Sequence, residues 1–172
     1  MTKIIAVTNE KGGVAKTTTV LSLGGALIEC SHEVLLIDLD PQANLTLGLG
    51  VNPTQVRRAI GDVLLHSASL TSAIRETSLP GLDLIPSNAN MIFAERFLSI
   101  RQHYERILKD ILQSDQKLCR YDFILIDCPP SLGAVTINAM TAANLAIIPT
   151  QPEYFSPCFC ANRDSFYSKM PA

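Results

Sequence analysis

Two lysines flank a pair of glycines in the stretch NEKGGVAKTTT, which covers residues 9–19. Glycines at positions 12 and 13 let the backbone come close to an anion, and the amides of such a turn form a nest for phosphate groups. In this pattern Lys16 reaches the terminal phosphates of a nucleotide, and the Thr17 hydroxyl binds Mg²⁺. The residue types and their spacing therefore predict a phosphate-binding loop, in preference to a glycine turn with a lysine nearby by chance.

Two positions depart from the usual loop pattern, G-x-x-x-x-G-K-[ST], and a third carries an additional lysine. Glu10 and Ala15 stand where that pattern has glycine. We expect Ala15 to have a negative φ, with its Cβ pointing away from the phosphates. Lys11 is an additional lysine, and it cannot easily address the same phosphate as Lys16 from the same side of a tight loop. Two interpretations of Lys11 stay open: it meets a nucleotide held by another subunit, or it is a solvated surface lysine.

Three aspartates close apolar segments that read as strands. Asp127 ends FILID, where a nucleotide hydrolase holds an aspartate that anchors Mg²⁺ through water; a cap for the following turn is the alternative. Asp40, in DLDPQ, is predicted to position the attacking water, against a plain turn residue. For Asp38 a part in the same site, as a metal ligand, and a turn role remain equally open.

The elements that must position these residues alternate along the chain. Five near-continuous apolar runs predict strands buried on both faces, as in parallel sheets: 3–8, 33–38, 82–86, 122–127 and 145–150. Helical patterns separate them, at 17–30, 90–113 and 131–143, with weaker ones near 57–66 and 70–76. This order predicts an α/β fold, a doubly wound and mainly parallel sheet with helices on both faces.

Composition narrows the class of protein. The chain has 172 residues, 47% hydrophobic and 17% charged, which is typical of one folded domain. A net charge of −2 provides no general excess of basic residues for DNA, so any basic surface is local or lies outside this chain. We predict no signal peptide and no membrane helix. Cys30, Cys119 and Cys128 stand in apolar contexts, which favours buried reduced thiols over disulfides.

Four segments in this order resemble the ParA/Soj family of deviant Walker-type ATPases, which are P-loop proteins related to MinD. They are KGGVAKTTT, LLIDLDPQANLTLGLG, YDFILIDCPPSLGAVTINAM and the strand that runs into PTQPEYF. The resemblance covers residues 1–156, and DLDPQ and DCPPSLG favour the ParA/Soj branch over the MinD branch. It implies an ATPase domain of P-loop type over 1–156.

The resemblance also assigns roles by position. Lys11 resembles the signature lysine that crosses into the partner's site when two subunits sandwich two ATP molecules. Lys16 resembles the phosphate-loop lysine, Thr17 the Mg²⁺ ligand, Asp40 the aspartate needed for hydrolysis, and Asp127 the Walker B aspartate. The nucleotide-binding segment then comprises Lys11, Gly12, Gly13, Val14, Ala15, Lys16, Thr17 and Thr18, the last lying near the α-phosphate.

The implied function is slow ATP hydrolysis with Mg²⁺ in plasmid or chromosome segregation. Members of the family form ATP-dependent homodimers, bind DNA non-specifically, respond to a ParB-type partner, and are cytoplasmic and nucleoid-associated. Two alternatives stay open: a non-catalytic nucleotide-binding remnant, and a MinD-like membrane switch, which needs a basic amphipathic helix that residues 157–172 do not supply.

The last 16 residues, 157–172, show neither the family resemblance nor an apolar period. Family members continue with further helices, strands and the basic DNA-binding residues. We therefore expect the domain to be incomplete at its carboxyl end, with a frameshift or a truncated gene copy favoured over a genuine short variant. A metal site at Cys158 and Cys160 has weak support, because one pair of cysteines is too few ligands.

Overall fold

A single six-stranded sheet organises the computed structural model, which describes residues 2–66 and 68–151. The strand order is β3-β4-β2-β5-β1-β6. The strands are β1 (Lys3–Val7), β2 (Val34–Asp38), β3 (Arg75–Glu76), β4 (Leu82–Ile85), β5 (Phe123–Asp127) and β6 (Leu145–Ile147). The helices are α1 (Lys16–Glu29), α2 (Asn44–Gly48), α3 (Ile60–Leu64), α4 (Leu70–Ala73), α5 (Met91–Ser99), α6 (Ile107–Ser114) and α7 (Ala134–Ala142).

The central strands pair in parallel, as the apolar runs predict. β5 lies between β1 and β2, and its register sets Asp127 beside both Val7 and Asp38. The carboxyl ends of these three strands therefore meet at one edge of the sheet. In open α/β sheets this edge is where ligands bind.

Alternate strand residues enter two separate hydrophobic cores, which confirms helices on both faces. Val34 and Leu36 pack with Val20 of α1 and Leu45 of α2. On the opposite face the core is built by Leu35, Ile37, Ile124 and Ile126 with residues of α3 to α7, among them Ile60, Leu70, Ala94, Leu108 and Val135. A period of two along strands that are buried on both faces produces this division.

The predicted helix over 90–113 is wrong in its middle. The chain forms α5 and α6, separated by a break in which His103 has φ 56° and a short 3₁₀ turn covers Tyr104–Arg106. Ile100, counted as part of one continuous apolar face, is 83% exposed. The apolar spacing of two shorter helices was read as one because no glycine or proline marks the break.

Smaller differences lie between residues 44 and 76. Residues 75–76, predicted as the end of a helix, form the antiparallel edge strand β3 beside β4, and α2 was not predicted.

Of the three cysteines expected to be buried, only Cys128 is; Cys30 and Cys119 are exposed. In the part of the chain that the structure describes, no helix has the length and apolar character to cross a membrane. Positions 152–156 of the predicted domain, the tail 157–172 and its two cysteines lie outside the described residues.

Candidate functional site

The predicted phosphate loop lies between β1 and α1, at the carboxyl edge of the sheet. The Asn9 side chain accepts a hydrogen bond from the Lys11 amide (3.0 Å) and donates one to the Pro149 carbonyl (2.8 Å). Gln151 donates to the carbonyl of Gly13, which has φ 74° and so a conformation that favours glycine. These bonds tie the loop to the segment after β6.

The loop leaves open space on its glycine side. A Cβ added at Gly12 or at Gly13 would meet no atom within 4 Å. Val14 is buried beneath the loop, whereas Thr18 is exposed in the first turn of α1. The amides of such a loop, together with the start of a 14-residue helix, make a positive environment that an anion can enter.

Lys16 is buried at the first position of α1 and is 8% exposed. Its Nζ donates a hydrogen bond of 3.1 Å to the carbonyl oxygen of Lys11, across the loop. The ammonium therefore lies inside the curve of the loop, where phosphate oxygens would replace that carbonyl as its hydrogen-bond acceptors. Lys11 itself is half-buried.

Ala15 contradicts the expectation of a negative φ, since it has φ 62° and ψ 31°. Its carbonyl accepts hydrogen bonds of 2.8 Å from both the Thr19 amide and the Thr19 hydroxyl, and so begins the ladder of α1. The chain must turn through a left-handed residue to reach that geometry. Glycine, usual at this position, adopts it without cost, whereas an L-residue loses about 1–2 kcal/mol.

We therefore expect Ala15→Gly to stabilise the protein. Relief of the left-handed alanine exceeds the greater flexibility that glycine gives the unfolded chain, about 0.4–1 kcal/mol. The net gain is about 0.5 kcal/mol, which raises Tm by about 1–2 °C in a thermal melt. Ala26→Gly, at an exposed position inside α1, is the matched control and should lose about 1 kcal/mol. A lower Tm for Ala15→Gly than for wild type would show that the left-handed backbone of Ala15 is not strained.

Thr17 and Asp127, the two residues predicted to serve a Mg²⁺ site, contact each other directly. The Thr17 hydroxyl donates a hydrogen bond of 2.6 Å to Oδ2 of Asp127. The other oxygen, Oδ1, is buried and has no hydrogen-bond partner among the described groups. A hydroxyl and a carboxylate are oxygen ligands of the kind that Mg²⁺ prefers, with water and phosphate oxygens completing its shell. The residues present therefore fit a magnesium ion.

The pKa of Asp127 is raised to about 7, mainly by burial and also by the carboxylates of Asp38 and Asp40. The hydrogen bond from Thr17 and the charge of Lys16 oppose this shift. A buried carboxylate without a full set of partners is costly to ionise, and a bound cation would remove that cost. A cation bound beside Asp127 would therefore stabilise the ionised carboxylate.

We expect Asp127→Asn to stabilise the ligand-free protein at and above pH 7 but not at pH 4. Below about pH 4 the carboxyl is protonated in both the folded and the unfolded state. As pH rises to about 7 only the unfolded state releases the proton, so wild type loses stability that the neutral amide retains. The difference at pH 8 is on the order of 4 kcal/mol.

Urea unfolding of both proteins at pH 4 and pH 8 measures this difference. Asp122→Asn is a control of opposite sign, because hydrogen bonds from the Glu33 amide and from His32 lower the pKa of that exposed carboxyl. Equal stability of Asp127→Asn and wild type at pH 8 would refute the unfavourable burial of the charge.

Asp38 and Asp40 take different places in the structure. Asp38 is fully buried, and its Oδ2 accepts from the amide (2.9 Å) and hydroxyl (2.7 Å) of Thr46. Its Oδ1 accepts from the Asp40 amide (3.1 Å), while burial raises its pKa to about 6. Asp40 is half-buried and accepts from the Gln42 amide (2.9 Å). The structure thus favours Asp38 as the support of the Asp40 loop over Asp38 as a metal ligand.

Three supporting residues were missed by sequence reasoning: Thr46, Asn9 and Glu95. Thr46 lies in the unpredicted α2, and its hydroxyl also accepts from the Ser87 amide (3.0 Å), linking β2 to the end of β4. Glu95 accepts hydrogen bonds from the first amides of α7. Asn9 is the one with a local signal, because it stands between the end of a strand and a glycine turn. Thr46 and Glu95 contact partners that are distant in sequence.

The sequence of this chain has counterparts in known proteins. Residues 2–158 match a family described as an AAA domain. The chain is 45% identical over 154 residues to the chromosome partitioning protein ParA of Caulobacter vibrioides, covering 90% of this chain and 58% of that protein. It is 44% identical over 156 residues to the sporulation initiation inhibitor protein Soj of Bacillus subtilis, covering 91% and 61%. The chain thus spans less than two thirds of the length of these relatives.

Solved structures share the fold. A Mycobacterium smegmatis protein named cobyrinic acid a,c-diamide synthase, with bound ATP analogue and magnesium, superposes with a TM-score of 0.87 and 39% identity, over 99% of this chain and 70% of that one. A putative plasmid partition protein of Borrelia burgdorferi bound to AMPPNP gives 0.82 and 31%, over 98% and 69%. The family match and the sequence identity to ParA and Soj show that this chain belongs to the ParA/Soj family of P-loop proteins.

Proposed function

We propose that the chain binds ATP with Mg²⁺ and hydrolyses it, as part of a ParA-type partition ATPase. The observation that supports this most directly is the contact between Thr17 and Asp127, 2.6 Å long, beside an open glycine loop. It joins an oxygen donor set for a divalent cation to a cradle for phosphates. The Borrelia neighbour bound AMPPNP in the same fold, which supports a nucleotide ligand.

The chain's own groups divide the work. The loop amides and the ammonium of Lys16 hold the phosphates and stabilise the charge that develops on the transferring phosphoryl group. Thr17 and, through water, Asp127 would hold Mg²⁺, which would neutralise part of the charge of the phosphates. Asp40, held through its amide by Asp38, positions the attacking water. Lys11 meets the nucleotide of a partner subunit.

The wider assembly is proposed from the relatives. An ATP-dependent homodimer, a ParB-type partner and non-specific DNA binding would place the protein in plasmid or chromosome segregation, in the cytoplasm and on the nucleoid. The support is the identity to ParA of Caulobacter vibrioides and to Soj. Residues that bind DNA are proposed to lie outside the described part of the chain.

Phosphate release by the purified protein, alone and with DNA and a ParB-type partner, tests the proposal. We expect slow turnover that depends on Mg²⁺ and rises when both are added. The baseline is the Lys16→Ala variant measured under the same conditions. Turnover no higher than this baseline, with nucleotide still bound, would leave a non-catalytic nucleotide-binding protein as the function.

The structural neighbours bear names of more than one activity, so the fold alone does not select the reaction. The Mycobacterium smegmatis neighbour is named for the synthesis of a diamide of cobyrinic acid. Partition is favoured here because the relatives with 44–45% identity are named ParA and Soj. Glutamine-dependent or ammonia-dependent phosphate release with cobyrinic acid would favour the other activity.

A further inference from the structure

Glu95, in α5, reaches the first turn of α7 with both carboxylate oxygens. Oε1 accepts from the Ala134 amide at 2.7 Å, and Oε2 accepts from the Val135 amide at 3.0 Å. A helix leaves the first amides of its ladder without internal partners, and its positive end favours a negative charge. The carboxylate therefore fixes the start of α7 to α5.

Gly133 shows that this contact depends on a close fit. Its φ of −77° and ψ of −177° are available to any residue, so no backbone constraint demands glycine there. A Cβ at this position would overlap the Glu95 carboxylate, with Cδ only 2.9 Å away. Glycine at 133 is needed for the space that Glu95 occupies. Two residues 38 positions apart in the sequence thus match each other.

The segment held by this contact is the loop 128–133, which directly follows Asp127. Its first residue is fixed, since the Cys128 amide donates to the Val7 carbonyl at 3.1 Å. The loop also borders a pocket of about 300 Å³ whose lining includes Leu39, Pro41 and Glu95 itself. Packing between the loops after β2 and β5 is therefore incomplete, and the two hydrogen bonds to Glu95 hold the end of the loop.

We propose that Glu95 is a positioning residue for the Mg²⁺–nucleotide site, acting through the loop 128–133 on the Asp127 carboxylate. The inference rests on the proposed function, in which Asp127 anchors Mg²⁺ through water. Glu95→Gln keeps one acceptor oxygen but sets an amide NH₂ against one of the two helix amides, and it removes the charge. The loop 128–133 then loses its attachment to α5, which loosens the support of Asp127 on its carboxyl side, while the pairing of β5 and the hydrogen bond from Thr17 remain.

The test compares binding of a fluorescent ATP analogue in Mg²⁺ and in EDTA. In EDTA we expect the affinity of Glu95→Gln for the analogue to lie within about 2-fold of that of wild type. The increase in affinity that Mg²⁺ produces should be about 10-fold smaller in Glu95→Gln than in wild type. Asp62→Asn is the matched control, because Asp62 also accepts from a helix-start amide (Ala59, 2.8 Å), but at α3. It should lose stability and keep the full Mg²⁺ gain.

Gly133→Ala gives an independent measurement, because its methyl group displaces the Glu95 carboxylate without touching the charge. We expect Gly133→Ala to reduce the effect of Mg²⁺ on affinity as much as Glu95→Gln does. The double variant should show no further reduction, because both substitutions remove the same contact. Faster amide hydrogen exchange over 128–135 should accompany each variant.

The two hypotheses fail in distinguishable ways. No Mg²⁺ gain in wild type would overturn the proposed function and this inference with it. A wild-type gain that Glu95→Gln retains in full, or that Asp62→Asn loses equally, would overturn the inference alone. Additive losses in the double variant would likewise show that Glu95 and Gly133 act separately.

Discussion

Lys16→Ala should weaken ATP binding at least about 100-fold and reduce turnover to background. The ammonium of Lys16 is buried inside the loop and bonded to the Lys11 carbonyl, so it already lies where phosphate oxygens would enter. A charge-assisted hydrogen bond to a phosphate in such an enclosed place is worth about 1.5–3 kcal/mol, and loss of the positive charge adds to it. Binding of a fluorescent ATP analogue and phosphate release measure the two effects.

Lys3→Ala is the matched control for this prediction. Lys3 is exposed and lies at the opposite end of β1, so its removal changes the net charge equally but leaves the site intact. Lys16→Arg asks whether charge suffices, since the larger planar guanidinium cannot replace the compact ammonium in a buried loop. ATP binding by Lys16→Ala within about 3-fold of wild type would remove the loop from the nucleotide site.

The strands and the loop between β1 and α1 could be predicted because their signals are local. A short uninterrupted run of Ile, Leu and Val is typical of a strand that is covered on both faces. Once such strands alternate with helices, their carboxyl ends must share one edge. The pairing of Thr17 with Asp127, 110 residues apart, followed from that topology and not from any contact visible in the sequence.

Other features could not be predicted, because neighbours distant in sequence determine them. Ile92 and Phe93 at the start of α5, and Ile100 at the break between α5 and α6, are exposed although their spacing is that of a buried face. Glu95 has the pattern of an ordinary solvated residue, and only the arrival of α7 gives it a role. The glycine at 133 likewise has no local reason, since its backbone is extended.

Two features that break local rules lie at the candidate site. Ala15 has a left-handed backbone without being glycine, and Asp127 is a buried carboxylate with one oxygen unpaired. Both cost stability in the ligand-free protein, and a phosphate or cation would compensate for them. Their coincidence at one edge of the sheet supports a binding site there independently of any sequence pattern.

Lys11→Ala should leave ATP binding by the monomer within about 3-fold of wild type and abolish ATP-dependent dimerisation. The backbone carbonyl of Lys11, which accepts from Lys16, remains in the variant, so the loop keeps its shape. Only the side chain is lost, and we propose that it contacts the partner's nucleotide. Truncating one member of a desolvated charge pair at an interface costs about 2–5 kcal/mol, or about 30- to 5,000-fold in the dimer constant.

Sedimentation velocity with a non-hydrolysable ATP analogue distinguishes a role in trans from a role in cis. Glu10→Ala, at the exposed neighbouring position of the same loop, is the control and should dimerise as wild type does. Loss of ATP binding by the Lys11→Ala monomer would show that the lysine contacts the nucleotide of its own subunit. Dimerisation of Lys11→Ala at the same protein concentration as wild type, with ATP binding unchanged, would show that the lysine contacts neither nucleotide. The trans role requires both results together, because a loop that fits one phosphate group around Lys16 leaves a second lysine, five residues away, to act on a different nucleotide.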